Sequence, residues 1–206
     1  MQSTGLVRKG PVADVAVLHS QFPILNSRVG VRNRPLGGAR HKRAAESVTI
    51  SLGRPITSPT LIPVTNDSLP TRCINKPFMV GGKAHHLIAV SFGSPHGVVF
   101  VDDVERVDVQ ELGFSLGTHA LFPKGASVVF AQKVDETNFA ARLWELGEGE
   151  KSFTSQAACA AAIAAMMTQK TIHDKVSIMM GGESYRVAWD RGRDDVSITG
   201  ALRLKQ

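Results

Sequence analysis

The chain has 206 residues, of which 43% are hydrophobic and 20% charged, an ordinary composition for one sizeable globular domain or two small lobes. Its longest apolar run, Ala157 to Met167, is too short and too alanine-rich to span a bilayer, and no basic stretch leads into an apolar core with a small-residue cleavage site, which argues against a secretory signal. Two cysteines, Cys73 and Cys159, are too few for a disulfide framework and point to a reducing, cytoplasmic setting.

The net charge of +6 is carried by the first 46 residues. Arg8, Lys9, Arg28, Arg32, Arg34, Arg40, Lys42 and Arg43 face only Asp14 and Glu46 there, so the other 160 residues sum to zero. The basic character therefore describes a leader, residues 1–46, rather than a nucleic-acid-binding face on the body of the protein. The leader's Pro, Gly, Ser and Arg content fits a poorly ordered, solvated arm. A weak phosphate or headgroup binder and an Arg-rich, acid-poor transit peptide for organelle import fit it as well.

Residues 47–206 read as one folded unit. Val48 to Leu52 alternates as a strand and is ended by Gly53 and Pro55. Pro59 to Pro70 reads as extended and turn-rich. Phe78 to Val80 and His86 to Ser91 are strands flanking a Gly81-Gly82 hairpin signal. After the Gly93-Ser94-Pro95 turn, the apolar Gly97 to Val101 is a buried strand. Val107 to Leu116 places Val109, Leu112 and Leu116 on one helix face, with Asp108 as N-cap. Ser127 to Gln132 and Asn138 to Glu145 are strands, the latter with Phe139, Ala141 and Leu143 on one side. Ser155 to Met167 is the strongest helix pattern. Val176 to Met180, Tyr185 to Trp189 and Ser197 to Leu204 are closing strands, the first two joined by Gly181-Gly182. The expected fold is α+β, a curved, mostly antiparallel sheet wrapped around a central helix.

A series of motifs in one order then resembles the diaminopimelate epimerase family. Val90 to Val99, with its Gly93-Ser94-Pro95-His96 core, is similar to that family's "VSMGNPHxVxxV". Val101 to Val104 and Leu112-Gly113 follow as they do in the family. Phe122 to Phe130 resembles "FPxGxNVxF", and Arg142 to Glu150 resembles "RxYERGxGET". Thr154 to Ala161 occupies the place of "CGTGACAA". Val176 to Trp189 resembles "VxxxGGxLxVxW", Thr199-Gly200 the closing "TGxA", and Val48 to Val64 an upstream "VxVxMGxPxxxPxxIPf".

The resemblance implies the diaminopimelate-epimerase-like fold, mainly its C-terminal lobe. It also implies a cofactor-independent isomerase of amino-acid (lysine) biosynthesis acting on a small amino or carboxylic acid; a non-catalytic relative that binds a ligand or partner, and a repurposed isomerase or cyclase using the same pocket, fit the resemblance as well. Family members are two pseudo-symmetric lobes, each offering one cysteine to a cleft between them. One thiolate takes the α-proton while the other thiol returns one to the opposite face, a task suited to a thiol pKa that a helix N-terminus lowers. The family's first-lobe "GNDF" and "CGNGARC" segments are not visible in this sequence, and Gly37 to His41 is only a chance echo of the latter.

Several site positions differ from the family pattern. Thr154 stands at the cysteine position, and a threonine hydroxyl is too weak an acid for that exchange; N-capping the helix is its plainer role. Ser94 and Ser127 stand where the family has Asn, and Leu146 where it has Arg. The last is the gravest change, because a guanidinium pairs bidentately with a carboxylate. Glu145 and His96 are kept. Glu145 suits a substrate ammonium or a structural pairing, and His96 a structural hydrogen bond more than catalysis. The turn into the helix, with Ser155 and Gln156, offers free N–H groups to a carboxylate or phosphate. These residues form the expected ligand-binding set. A homodimer, or a separate first-lobe partner, would complete the cleft and cover apolar surface.

Other chemistry has little support. The adjacent His85 and His86 point to opposite sides of a strand and cannot share a metal. There is no phosphate-binding loop, dinucleotide fingerprint or nucleophile elbow. Cys159 and the methionines 166, 167, 179 and 180 read as core.

Overall fold

The computed structural model describes residues 29–30, 47–62, 64, 76–80 and 83–201. Among these, eleven strands form one sheet. They are β1 Val29–Gly30, β2 Ser47–Gly53, β3 Lys76–Val80, β4 Lys83–Ser91, β5 Pro95–Phe100, β6 Ser127–Lys133, β7 Asn138–Glu145, β8 Gly149–Lys151, β9 Lys175–Met180, β10 Glu183–Asp190 and β11 Asp195–Ala201. Their order is β1-β2-β11-β10-β9-β7-β6-β5-β4-β3, with β8 beside β7. Pairing is antiparallel except between β5 and β6 and between β7 and β9, so the sheet is mixed and mostly antiparallel. Two helices accompany it, α1 Val109–Gly117 and α2 Ser155–Met167.

The sheet curls because α2 has no polar face. All of its residues except Gln156 and Met167 are buried, and a helix apolar all round must be enclosed on all sides. Its alanines let the strands approach closely. Alternate residues of β2, β4, β6, β7, β9 and β11 supply the enclosing layer, among them Ile50, Ile88, Val129, Phe139, Ala141, Leu143, Ile178 and Ile198. The other faces of β4 to β7 carry Leu87, Ala89, Val99, Val128, Phe130 and Trp144 into a second core under Val109 and Leu116 of α1. Strands β4 to β6 are therefore covered on both faces, and they read as continuous apolar runs rather than alternating ones.

The turns follow their glycines. Gly181 and Gly182 take φ of +61° and +79°, as a two-residue type I′ hairpin requires, and Met180 pairs with Glu183 across it. Val80 likewise pairs with Lys83, while Gly81 and Gly82 themselves lie outside the described residues.

Some boundaries differ from the sequence reading. The helix expected from Val107 begins at Val109, because Asp108 Oδ1 accepts the Glu111 N–H at 2.9 Å. The preceding Val104–Arg106 forms its own 3-10 turn under an Asp103 cap. Strand β8 was not expected; Gly147 and Gly149, both at φ +83°, reverse the chain so that Gly149 to Lys151 pairs back onto β7. The strand expected from Ser197 starts at Asp195, and its last residues lie outside those described. Met179 corrects the expectation of a core residue. It is exposed, since the inward positions of β9 belong to Val176, Ile178 and Met180. Of the leader, only Val29–Gly30 is described, paired with Ile50 and Thr49 of β2. The rest of 1–46, the Gly37 to His41 echo and Cys73 lie outside the described residues.

Candidate active-site cleft

Topology brings distant motifs to one end of the sheet. The parallel pairing of β5 with β6 aligns their starting ends, with His96 opposite Ser127. Strand β7 runs antiparallel to β6, so it finishes there, delivering Glu145 and Leu146. Helix α2 begins at the same end. Between them lies a cleft of about 420 Å³ lined by Ser94, His96, Ser127, Glu145, Leu146 and Gln156. Six of the eight expected residues are thus gathered in one place.

Thr154 and Ser155 do not line that cleft. Thr154 is buried, and its Oγ1 accepts the Ala157 N–H at 3.1 Å. Its extended backbone, φ −139° and ψ 148°, is that of an N-cap. Ser155 is fully buried, and its Oγ has no hydrogen-bond partner among the described residues. One of the N–H groups expected to face an anion is therefore taken by the cap itself.

Each lining residue is held by a specific contact. The His96 ring donates Nδ1–H to the Ser94 carbonyl at 2.9 Å, which leaves Nε2 as an acceptor in the neutral ring. Burial holds the His96 imidazole below its ordinary pKa, opposed by the Ser94 bond and by the charge of Glu145. Ser127 Oγ accepts the Leu146 N–H at 3.2 Å, tying β6 to the end of β7. Gln156 Nε2 donates to the Phe92 carbonyl at 3.1 Å, tying α2 to the β4–β5 turn. Glu145 Oε2 lies 2.7 Å from Lys151 Nζ. Lys151 also pairs with Glu148, and the two carboxylates, Glu145 foremost, hold its ammonium above the usual range.

Sequence reading missed part of the wall. Lys124 lines the cleft with Gly125 and Ala126, and Leu61 stands exposed at its edge. Lys124 sits inside the Phe122 to Phe130 motif, at a position the family pattern leaves open, whereas Ser127 marks a departure from that pattern. Leu61 is placed by the bridge between Ile56 and Ser91, closed by two backbone hydrogen bonds of 2.9 Å, which no local pattern announces.

Elsewhere, Cys159 is buried within α2 and its thiol is pushed well up in pKa by burial, unlike a reactive thiol. No group of three His, Cys, Asp or Glu residues is placed to hold a metal ion among the described residues. No helix among them is long and apolar enough to cross a membrane.

A mixed sheet curled around a buried alanine-rich helix, with a polar cleft at that helix's N-terminal end, defines a lobe of the epimerase-type α+β fold. The chain belongs to the diaminopimelate epimerase family, whose model matches residues 88–204. It is 34% identical over 167 residues to the diaminopimelate epimerase of Oceanobacillus iheyensis, covering 77% of this chain and 58% of that protein. It is 32% identical over 193 residues to that of Leptospira biflexa, covering 93% and 67%. The chain thus spans little more than half the length of the first of these relatives. The fold is shared with a predicted epimerase from Pseudomonas aeruginosa (TM-score 0.51, 18% identity, 93% of this chain and 70% of that one). It is also shared with a hydroxyproline epimerase from Agrobacterium vitis, solved with trans-4-hydroxy-L-proline (TM-score 0.50, 13% identity, 75% and 49%).

Proposed function

We propose that this chain is an epimerase-type protein whose cleft takes a small amino or carboxylic acid, without a cofactor, and whose family proton exchange is impaired. The observation that carries the impairment is Thr154. At the position where the resemblance places a cysteine, its hydroxyl oxygen is committed to capping α2, and an aliphatic hydroxyl cannot serve as half of a two-base exchange at neutral pH. Leu146, at the position of the family's Arg, offers no charge to a carboxylate. Ser94, Ser127, Glu145 and Gln156 still furnish polar groups for orienting a ligand. Glu145 is the candidate for an ammonium group, although Lys151 already neutralises it. On this reading the described residues form one side of a cleft. The other side comes from a second copy or from a separately encoded first lobe, and the exposed Leu61 and Leu146 at the cleft are apolar surface for it to cover.

The test is proton–deuterium exchange at the α-carbon of LL-diaminopimelate in D₂O, followed by NMR beside a full-length relative. The expected result is exchange at least about 100-fold slower than the relative's, a deficit set by losing a positioned acid–base group. Exchange at the relative's rate would overturn the proposed impairment. Gain of exchange in Thr154→Cys with Leu146→Arg would assign the deficit to these two positions.

A further inference from the structure

The geometry points to Lys124 as the residue that holds a ligand carboxylate in this cleft, in place of the charge that Leu146 cannot supply. This inference rests on the cleft being a binding site for a small acid, and it names what selects the ligand there.

Three observations meet at Lys124. First, among the described residues it is the one Lys or Arg that lines the cleft. Second, its turn is seated on Leu146. Gly125 takes φ +72°, and a Cβ on it would stand 2.7 Å from Leu146 Cδ2, so the backbone carrying Lys124 touches the side chain at the uncharged position. A flexible four-carbon stem rooted there can bring an ammonium over Leu146. Third, the cleft's carboxylate already has a cation beside it. Glu145 pairs with Lys151 from the far side of the β7–β8 turn, so Lys124 is not needed to neutralise it. Among the described residues Lys124 makes none of the ion pairs. His96 is a weaker rival for the anion, because burial disfavours its charged form.

The charge Lys124 brings differs from a guanidinium. An ammonium is a strongly hydrated point charge without the planar fork, so it selects a carboxylate by charge and tolerates shifts in its position. The expected preference is for a ligand with a second carboxylate over one whose second group is an uncharged amide of the same shape.

Isothermal titration of the full chain with glutarate, and with its monoamide glutaramate, reads this directly. The expected result is that glutarate binds roughly fivefold to tenfold more tightly than glutaramate, the range for a partly exposed charge-assisted contact. Lys124→Gln should abolish that preference, while Lys124→Arg keeps it. A Lys124→Gln variant that still prefers glutarate by the same factor overturns the role of Lys124 and leaves the cleft reading standing. Failure of the unaltered chain to bind either acid overturns both.

Discussion

Thr154 shows how one side chain can decide between chemistry and structure. Its Oγ1 lies 3.1 Å from the Ala157 nitrogen, so it satisfies one of the four N–H groups that a helix leaves unpaired at its start. Thr154→Ala is expected to cost about 1 kcal/mol of stability, whereas Thr154→Ser should stay within a few tenths of the parent. Urea denaturation midpoints of the two variants check this; equal midpoints would show that the hydroxyl is not a cap. Both the N-cap role and the structural role of His96 were legible in the sequence, because each depends on neighbours two or three positions away. The burial of Ser155 was not. It follows from the sheet closing over the first turn of α2, which no local pattern encodes.

At the scale of the element, α1 illustrates a helix chosen for its contacts rather than its propensity. Gly113 and Gly117 weaken a helix by up to about 1 kcal/mol each relative to alanine, yet both face Trp144. A Cβ on Gly117 would lie 2.4 Å from Trp144 Cζ3 and 2.5 Å from the Ala126 carbonyl oxygen, and the backbone oxygen has no side-chain freedom with which to retreat. Gly117→Ala is therefore expected to destabilise by roughly 1–3 kcal/mol, the usual cost of overpacking, despite its better helix propensity. Chemical denaturation combined with near-ultraviolet circular dichroism of the tryptophan environment measures it, and a stabilised variant would refute the packing argument. The spacing of Val109, Leu112 and Leu116 revealed the helix. The reason for its glycines appeared only once β7 lay beneath it, with Trp144 turned away from α2. Strand β8 escaped for a related cause, since three residues with one glycine carry too little pattern to announce a pairing.

At the scale of the whole molecule, the expected consequence of the proposed half-cleft is self-association. Leu61 and Leu146 are both exposed beside the polar lining of the cleft, and a twofold pairing across it would bury them while presenting two copies of the site face to face. Light scattering at high micromolar concentration is expected to give twice the 22.1 kDa of the chain. Leu146→Glu should shift this toward monomer by roughly tenfold in dissociation constant, the order set by burying an unpaired charge in place of an apolar contact. A strictly monomeric parent would count against the pairing.

By itself, the sequence determined the class of fold, the family and most of the strands. Apolar periodicity, glycine turns and the ordered motifs are local signals that survive without coordinates. It also identified Ser94, His96, Ser127, Glu145, Leu146 and Gln156 as belonging together, through resemblance rather than through any spacing that brings them close. Only the tertiary structure decided which residues share the cleft and which serve the scaffold. The parallel register of β5 with β6 and the reversal into β7 bring residues from Leu61 to Gln156 to one end of the sheet, while the capping of α2 withdraws Thr154 from it. Proximity across such separations is a property of strand pairing. That is why Lys124, unremarkable within its own motif, acquired a role only beside Leu146.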